Sequence, residues 1–162
     1  VTLEHDELAA AARRMQSGAF DRAAAGTVAG AAARIADHAE RGILGAMAPH
    51  RRSGRMAGQV RRSLAGAGVG TVATVTAGGL EARLLTGGTR PHAIAAVRAG
   101  ALAIRGAGSL SGFASSVRHP GTRPDPVVAR GLAAAARDID TTIDRTADEL
   151  ADELADVAGG RD

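Results

Sequence analysis

The C-terminal stretch repeats its apolar residues every eleven positions, and no other feature restricts the fold as tightly. Val128, Ile139 and Leu150 form one series, Leu132, Ile143 and Leu154 a second, and Ala136, Ala147 and Ala158 a third. Eleven residues are close to three turns of α-helix, so an apolar stripe runs nearly straight for about 30 residues. Asp140, Asp144, Asp148, Glu149, Asp152, Glu153 and Asp156 fill the other faces, and Gly159-Gly160 stops the run. A long C-terminal helix over 126–158 is expected. Its stripe is expected to face the core, with part of it free to face a neighbouring subunit.

The ten residues before this helix, Val117 to Pro126, contain three prolines and a glycine, which forbid a helix and make a stiff, extended turn. Asp125 can accept hydrogen bonds from the first free N–H groups of the helix, and Pro126 suits its first position, where no N–H is needed. The 119–126 segment is therefore a hinge between a β-rich region and the helix. A shorter echo, Gly88-Thr89-Arg90-Pro91-His92, lies about thirty residues upstream.

From the N-terminus, Leu3, Leu8, Ala11, Ala12 and Met15 have helical spacing, and Ser17-Gly18 breaks or kinks it. The pattern resumes at Ala19 and runs through Phe20, Ala24, Val28, Ala31, Ile35, Ala39, Ile43, Leu44 and Met47, so an amphipathic helix is expected up to Pro49. A basic connector follows over 49–66, with Arg51, Arg52, Arg55, Arg61 and Arg62. It reads either as a solvated link, with Ser53 capping a short helix of Met56, Val60 and Leu64, or as a docking patch for an acidic partner or nucleic acid. Residues 69–77 alternate β-branched residues (Val69, Thr71, Val72, Thr74, Val75, Thr76) and are expected to be a strand, with a turn at Gly78-Gly79. Leu80 to Thr86 reads as its return strand, 101–105 and 110–117 as two more, and 93–99 is ambiguous. The expected fold is α+β: one domain over 1–162, with a small antiparallel sheet of about four strands (67–118) packed against a long N-terminal helical region (1–48) and the C-terminal helix.

The chain of 162 residues has Phe20 and Phe113 as its only Phe, Tyr or Trp. Its core must therefore be built from aliphatic residues and close-packed alanine, and small side chains bury little area at about 25 cal/mol per Å². Subunit contacts are expected to supply the missing burial. All twenty basic residues are arginine, as a GC-rich genome would produce, and the absence of lysine excludes a Walker-type phosphate loop and Schiff-base chemistry. The absence of cysteine excludes disulfides, thiolate nucleophiles and cysteine-based zinc sites. No stretch approaches eighteen continuous apolar residues and the N-terminal residues are acidic, so neither a membrane span nor a signal peptide is expected, and the chain is expected to be made in a cytoplasm.

Charge is segregated. Residues 1–40 carry a net −2, residues 41–123 a net +11 with Glu81 as their only acid, and residues 124–162 a net −6. Such a chain either lays a basic face on nucleic acid or neutralises itself within or between subunits, and the second reading is favoured because both signs occur in one small chain. The five histidines, His5, His38, His50, His92 and His119, lack metal-ligand spacing, and no nucleophile-elbow motif is present. Gly66-Ala67-Gly68-Val69-Gly70 precedes a strand, so it reads as a flexible turn rather than a dinucleotide loop. Two phenylalanines cannot form a stacking platform for single strands, and no recognition element for duplex DNA is evident. No catalytic residue, cofactor or metal site is expected, and the chain is read as a non-enzyme.

His119-Pro120-Gly121-Thr122-Arg123-Pro124, followed by Asp125-Pro126 and an alanine-rich helix, resembles the signature of the gene-ten-like neck proteins of long-tailed phages, also called head–tail joining or tail-completion proteins. Gly88-Thr89-Arg90-Pro91-His92 is similar to that family's first loop. Ser53-Gly54-Arg55-Met56 through Ser63-Leu64 is similar to the stretch before its first strand. The chain departs from the pattern at Leu84-Leu85-Thr86-Gly87 and at Val127, where the family commonly carries aromatic residues. The resemblance covers roughly 10–155. It implies an oligomeric ring of six or twelve copies at the head–tail junction of a virion, with stopper, terminator and tail-tube proteins as neighbours and genomic DNA passing nearby. It also implies that residues 88–92 and 119–124 contact a neighbouring subunit or ring, with Arg90 and Arg123 meeting carboxylates. The related tail-terminator and head-closure stopper roles, and a small basic nucleic-acid-binding protein, are the alternatives.

Overall fold

The computed structural model describes residues 9, 12–13, 18–50, 56–97, 100–105 and 111–159. In chain order its main elements are α1 (Ala19–Met47), β1 (Val60–Ala65), β2 (Val72–Ala77), α2 (Leu80–Gly87), β3 (His92–Ala95), β4 (Leu102–Arg105), β5 (Ser111–Ala114), β6 (Ser116–His119) and α3 (Val127–Gly159). The fold is mixed α+β with a long helix toward each end. The chain divides into two compact units, Val1–Gly78 with Val127–Asp162, and Gly79–Pro126. The helical spacing over 3–16 lies outside the described residues except at 9, 12 and 13, as do the Ser53 cap and the turn over 106–109.

In the first unit α1 and α3 run antiparallel. Thr27 donates a hydrogen bond to Glu153, Arg34 pairs with Glu149 at 3.7 Å, and His38 Nδ1 lies 3.6 Å from Asp138. The helices touch backbone to backbone where Gly42 meets Gly131. A Cβ on Gly131 would stand 2.6 Å from Ile43 Cα, and one on Gly42 would strike the Gly131 carbonyl. Ala24, Ala31, Ala36, Ala39, Ile43 and Met47 of α1 are buried, as are Val127, Gly131, Ala135 and Thr142 of α3. Met47 and Val127 are the largest side chains wholly removed from solvent. Each contributes about 2 kcal/mol, and the alanines correspondingly less. Thr142 fits the seam because its hydroxyl donates to the Asp138 carbonyl at 2.8 Å.

This seam is not the stripe expected from the sequence. Val128, Ile139 and Leu150 are half-buried, and Leu132, Ile143 and Leu154 are exposed. Close approach of two helices selects the smallest side chains for the line of contact, so the large residues stand at its edge or outside it.

The opposite side of α1 carries an antiparallel hairpin, β1–β2, with Val60 opposite Ala77, Arg62 opposite Val75 and Leu64 opposite Ala73. The short helix expected at Met56, Val60 and Leu64 is instead largely β1, because a spacing of four satisfies a strand's alternation as well as a helix turn. The glycine-rich 66–70 stretch is the hairpin turn, so it follows a strand as well as preceding one.

The second unit corrects the four-stranded sheet. Among the described residues each sheet has two strands: β1–β2, β3–β6 and β4–β5. Leu80 to Thr86 belongs to α2 rather than to a return strand. No β-branched residue occurs from Leu80 to Leu85, all six residues there are good helix formers, and β1 already occupies the partner position beside β2. The strand expected over 110–117 is split into β5 and β6 about Ser115. The pairs β3–β6 and β4–β5 share the continuous stretch Ser111–His119 on one side, and between them the Ala96 N–H donates to the Ser115 carbonyl at 2.9 Å. Ala82 is the only buried hydrophobic residue of this unit among those described.

Candidate functional site

The two proline-containing stretches singled out in the sequence are cross-strand partners. His92 pairs with His119 at the end of β3–β6, and an isolated antiparallel bridge joins Thr89 to Thr122. Both pairs keep the same register, which places Arg90 opposite Gly121 and Pro91 opposite Pro120. The result is a clasp in which threonine meets threonine, proline meets proline and histidine meets histidine.

Its geometry is specific at each level. The Thr89 N–H donates to the Thr122 carbonyl at 3.0 Å, and the Thr122 N–H returns a bond to the Thr89 carbonyl at 3.1 Å. The two threonine hydroxyls are 2.9 Å apart. Gly121, at φ +87°, lets the strands approach where a Cβ would strike the Thr89 carbonyl. Gly88, at φ +68°, lies under Thr122 and Pro124, with its hypothetical Cβ 2.9 Å from Pro124 Cδ. The Asp125 N–H donates to the Leu85 carbonyl at 2.8 Å and ties the exit of the clasp to α2. This backbone bond is separate from the capping role expected for the Asp125 side chain.

The imidazoles of His92 and His119 stack with centroids 5.1 Å apart and planes inclined by 29°. Their hydrogen bonds require opposite tautomers in the neutral forms. His92 Nδ1 lies 2.9 Å from the Arg90 carbonyl and must donate, whereas His119 Nδ1 accepts the Gly121 N–H at 3.0 Å. His92 Nε2 is left with a lone pair and His119 Nε2 with a proton. The two rings therefore do not offer matched ligand nitrogens, and among the described residues no group of three or more His, Asp or Glu is placed to hold a metal.

Arg90 and Arg123 are exposed, and no ion pair among the described residues holds either guanidinium. The other candidate patch is only partly described, because Arg51, Arg52 and Arg55 lie outside the described residues. Arg62 turns toward α1 and reaches Asp37 at 3.1 Å and Glu40 at 3.5 Å. Arg61 donates to the carbonyls of Gly58 and Val60. Arg41 also pairs with Asp37, at 2.9 Å, so part of the basic middle is neutralised within the chain.

Sequence reading treated 88–92 and 119–124 as two loops and missed their pairing. A signal was present. Read backwards from His92 and forwards from His119, both stretches give His-Pro-x-Thr, the mirrored order that antiparallel partners require.

The fold and clasp define an α+β chain with a helix pair, a hairpin on its inner helix and a separate ribbon unit closed by the clasp. No family model matches the chain, and no curated protein or solved structure is significantly similar to it. No helix among the described residues is long and apolar enough to cross a membrane.

Proposed function

We propose that this chain is a non-enzymatic structural virion protein that forms an oligomeric ring at the phage head–tail junction and joins the head connector to the tail. The clasp carries the reading. The two stretches that resemble the neck family, Gly88–His92 and His119–Pro124, are one paired object rather than two separate short matches. Its prolines and paired backbone lose little freedom on docking, which favours tight assembly.

The unit around the clasp supports the same reading. Its described residues bury only Ala82 while exposing Ile94, Val97 and Phe113, so a partner surface would add the burial it lacks. Arg90 and Arg123 supply charge for carboxylates on a neighbouring copy or ring. Gly79–Pro126 contains six arginines and two acids, a balance also suited to a position beside genomic DNA. The neighbours on this reading are stopper, terminator and tail-tube proteins, and the ring has six or twelve copies. The protein is made in the host cytoplasm and resides in the neck of the virion.

The test is antibody labelling of purified particles from a lysate that expresses the gene. Label at the head–tail junction is expected, with strongly reduced incorporation of an Arg90→Ala, Arg123→Ala double variant. Absence of the chain from particles, combined with duplex-DNA affinity that falls steeply with salt, overturns the assignment in favour of a nucleic-acid-binding protein. The terminator and stopper roles differ from it in which ring the chain cross-links to.

A further inference from the structure

We infer that the clasp is a proton-operated latch, closed while His119 is neutral and loosened when His119 takes a proton at Nδ1. In the closed form His119 Nδ1 accepts the Gly121 N–H, two residues further on, at 3.0 Å. Asparagine makes the same bond through its side-chain oxygen in an Asx turn, and that oxygen does not titrate near neutral pH. Histidine, by contrast, ordinarily changes charge between about pH 5 and pH 8.

The two rings of the stacked pair respond differently to a proton. His92 Nδ1 already donates to the Arg90 carbonyl at 2.9 Å, so a second proton, at Nε2, leaves that bond intact. On His119 the nitrogen that takes the proton is the accepting Nδ1 itself. Protonation turns it into a donor aimed at another donor, and the partly buried Gly121 N–H loses its partner. Gly121 holds the φ of +87° that lets the strands close. It is followed directly by Thr122, whose N–H and carbonyl form the bridge to Thr89. The lost bond therefore lies next to the two backbone bonds that shut the clasp.

Charge acts in the same direction. The rings stack with centroids 5.1 Å apart, so two imidazolium ions would repel each other. The charged side chains of the segments around them are Arg90, two residues before His92, Arg118, next to His119, Arg123 and Asp125, just beyond Thr122, and Glu81 and Arg83 of α2. With four arginines against two acids, a proton on either ring enters surroundings of its own sign. A bond made only by the neutral ring holds the clasp at neutral pH and is lost as pH falls through the histidine range. The latch follows from the geometry of the clasp alone. Its use, to release a docked neighbour in acid, rests on the head–tail reading.

Hydrogen exchange of the purified chain, corrected for the intrinsic effect of pH, reads the latch at the Thr89 and Thr122 amides. Between about pH 7.5 and about pH 5.5 their opening should rise roughly tenfold, while the α1 and α3 amides keep their protection. His119→Asn keeps an acceptor for the Gly121 N–H without a titrating ring and should cut the rise to under about twofold. His92→Phe keeps a ring to stack but removes its charge, and should leave most of the rise in place. If His119→Asn does not close at all, His92→Phe decides alone. An unsubstituted clasp that opens equally at both pH values, or that is open at both, overturns the inference. So does a full rise in a closed His119→Asn clasp, or loss of the rise in His92→Phe, which would place the sensor on His92. Absence of the chain from virions would leave these outcomes unchanged and would remove only the proposed use.

Discussion

In the helical unit, glycine and alanine bring two helices into contact at Gly42 and Gly131, and the gain is dispersion between closely packed atoms and burial of Ile43, Met47 and Val127. In the clasp unit, glycine brings two strands together at Gly88 and Gly121, and the gain is mainly a set of hydrogen bonds around Thr89 and Thr122. Each such bond contributes only about 1 kcal/mol net, and little apolar area is buried beside them. Proline lowers the entropy of the unfolded chain and so helps the clasp without any contact. The difference shows that small residues can serve two kinds of cohesion. One unit has a core of its own, whereas the other has a well-defined geometry and little core beneath it.

Substitutions at the two glycine contacts test that difference. The largest effect is expected for Gly131→Val, whose side chain would collide with the α1 backbone at Ile43. A loss of about 3 kcal/mol in urea unfolding is expected, with the helix signal most affected. Gly121→Ala should cost about 2 kcal/mol within the clasp, through both its positive φ and the collision with the Thr89 carbonyl. Hydrogen exchange should then show lost protection at the Thr89 and Thr122 amides while the α1 and α3 amides keep theirs. Equal loss of protection in the helices would show that the two units unfold together and would break the comparison. The smallest effect belongs to Arg62→Ala, which removes exposed ion pairs with Asp37 and Glu40. It should cost about 0.5 kcal/mol at low salt and less at high salt.

Local patterns carried the long elements well. Helix α3 was expected over 126–158 and spans Val127–Gly159, and α1 begins at Ala19 as its spacing indicated. Strand β2, Val72–Ala77, lies within the strand expected over 69–77. The short elements were harder to read. Val60 and Leu64 fit either period, so β1 was hidden, and the partner assigned to β2 was then sought downstream in what is α2. The clasp residues were all legible as unusual, but their mutual pairing depends on contacts across more than twenty-five residues of intervening chain.

The sequence by itself determined where the two long helices run, where prolines and glycines interrupt the chain and how charge is divided along it. Those properties follow from backbone stereochemistry and side-chain periodicity, which act over a few neighbouring residues. Only the tertiary structure decided that the helix seam follows Gly131, Ala135 and Thr142 rather than Leu132 and Ile143. It also decided that Gly88–His92 and His119–Arg123 close on one another. Both outcomes depend on how near two distant backbones can come, and that distance is set by the smallest side chains at the contact rather than by the largest apolar ones nearby.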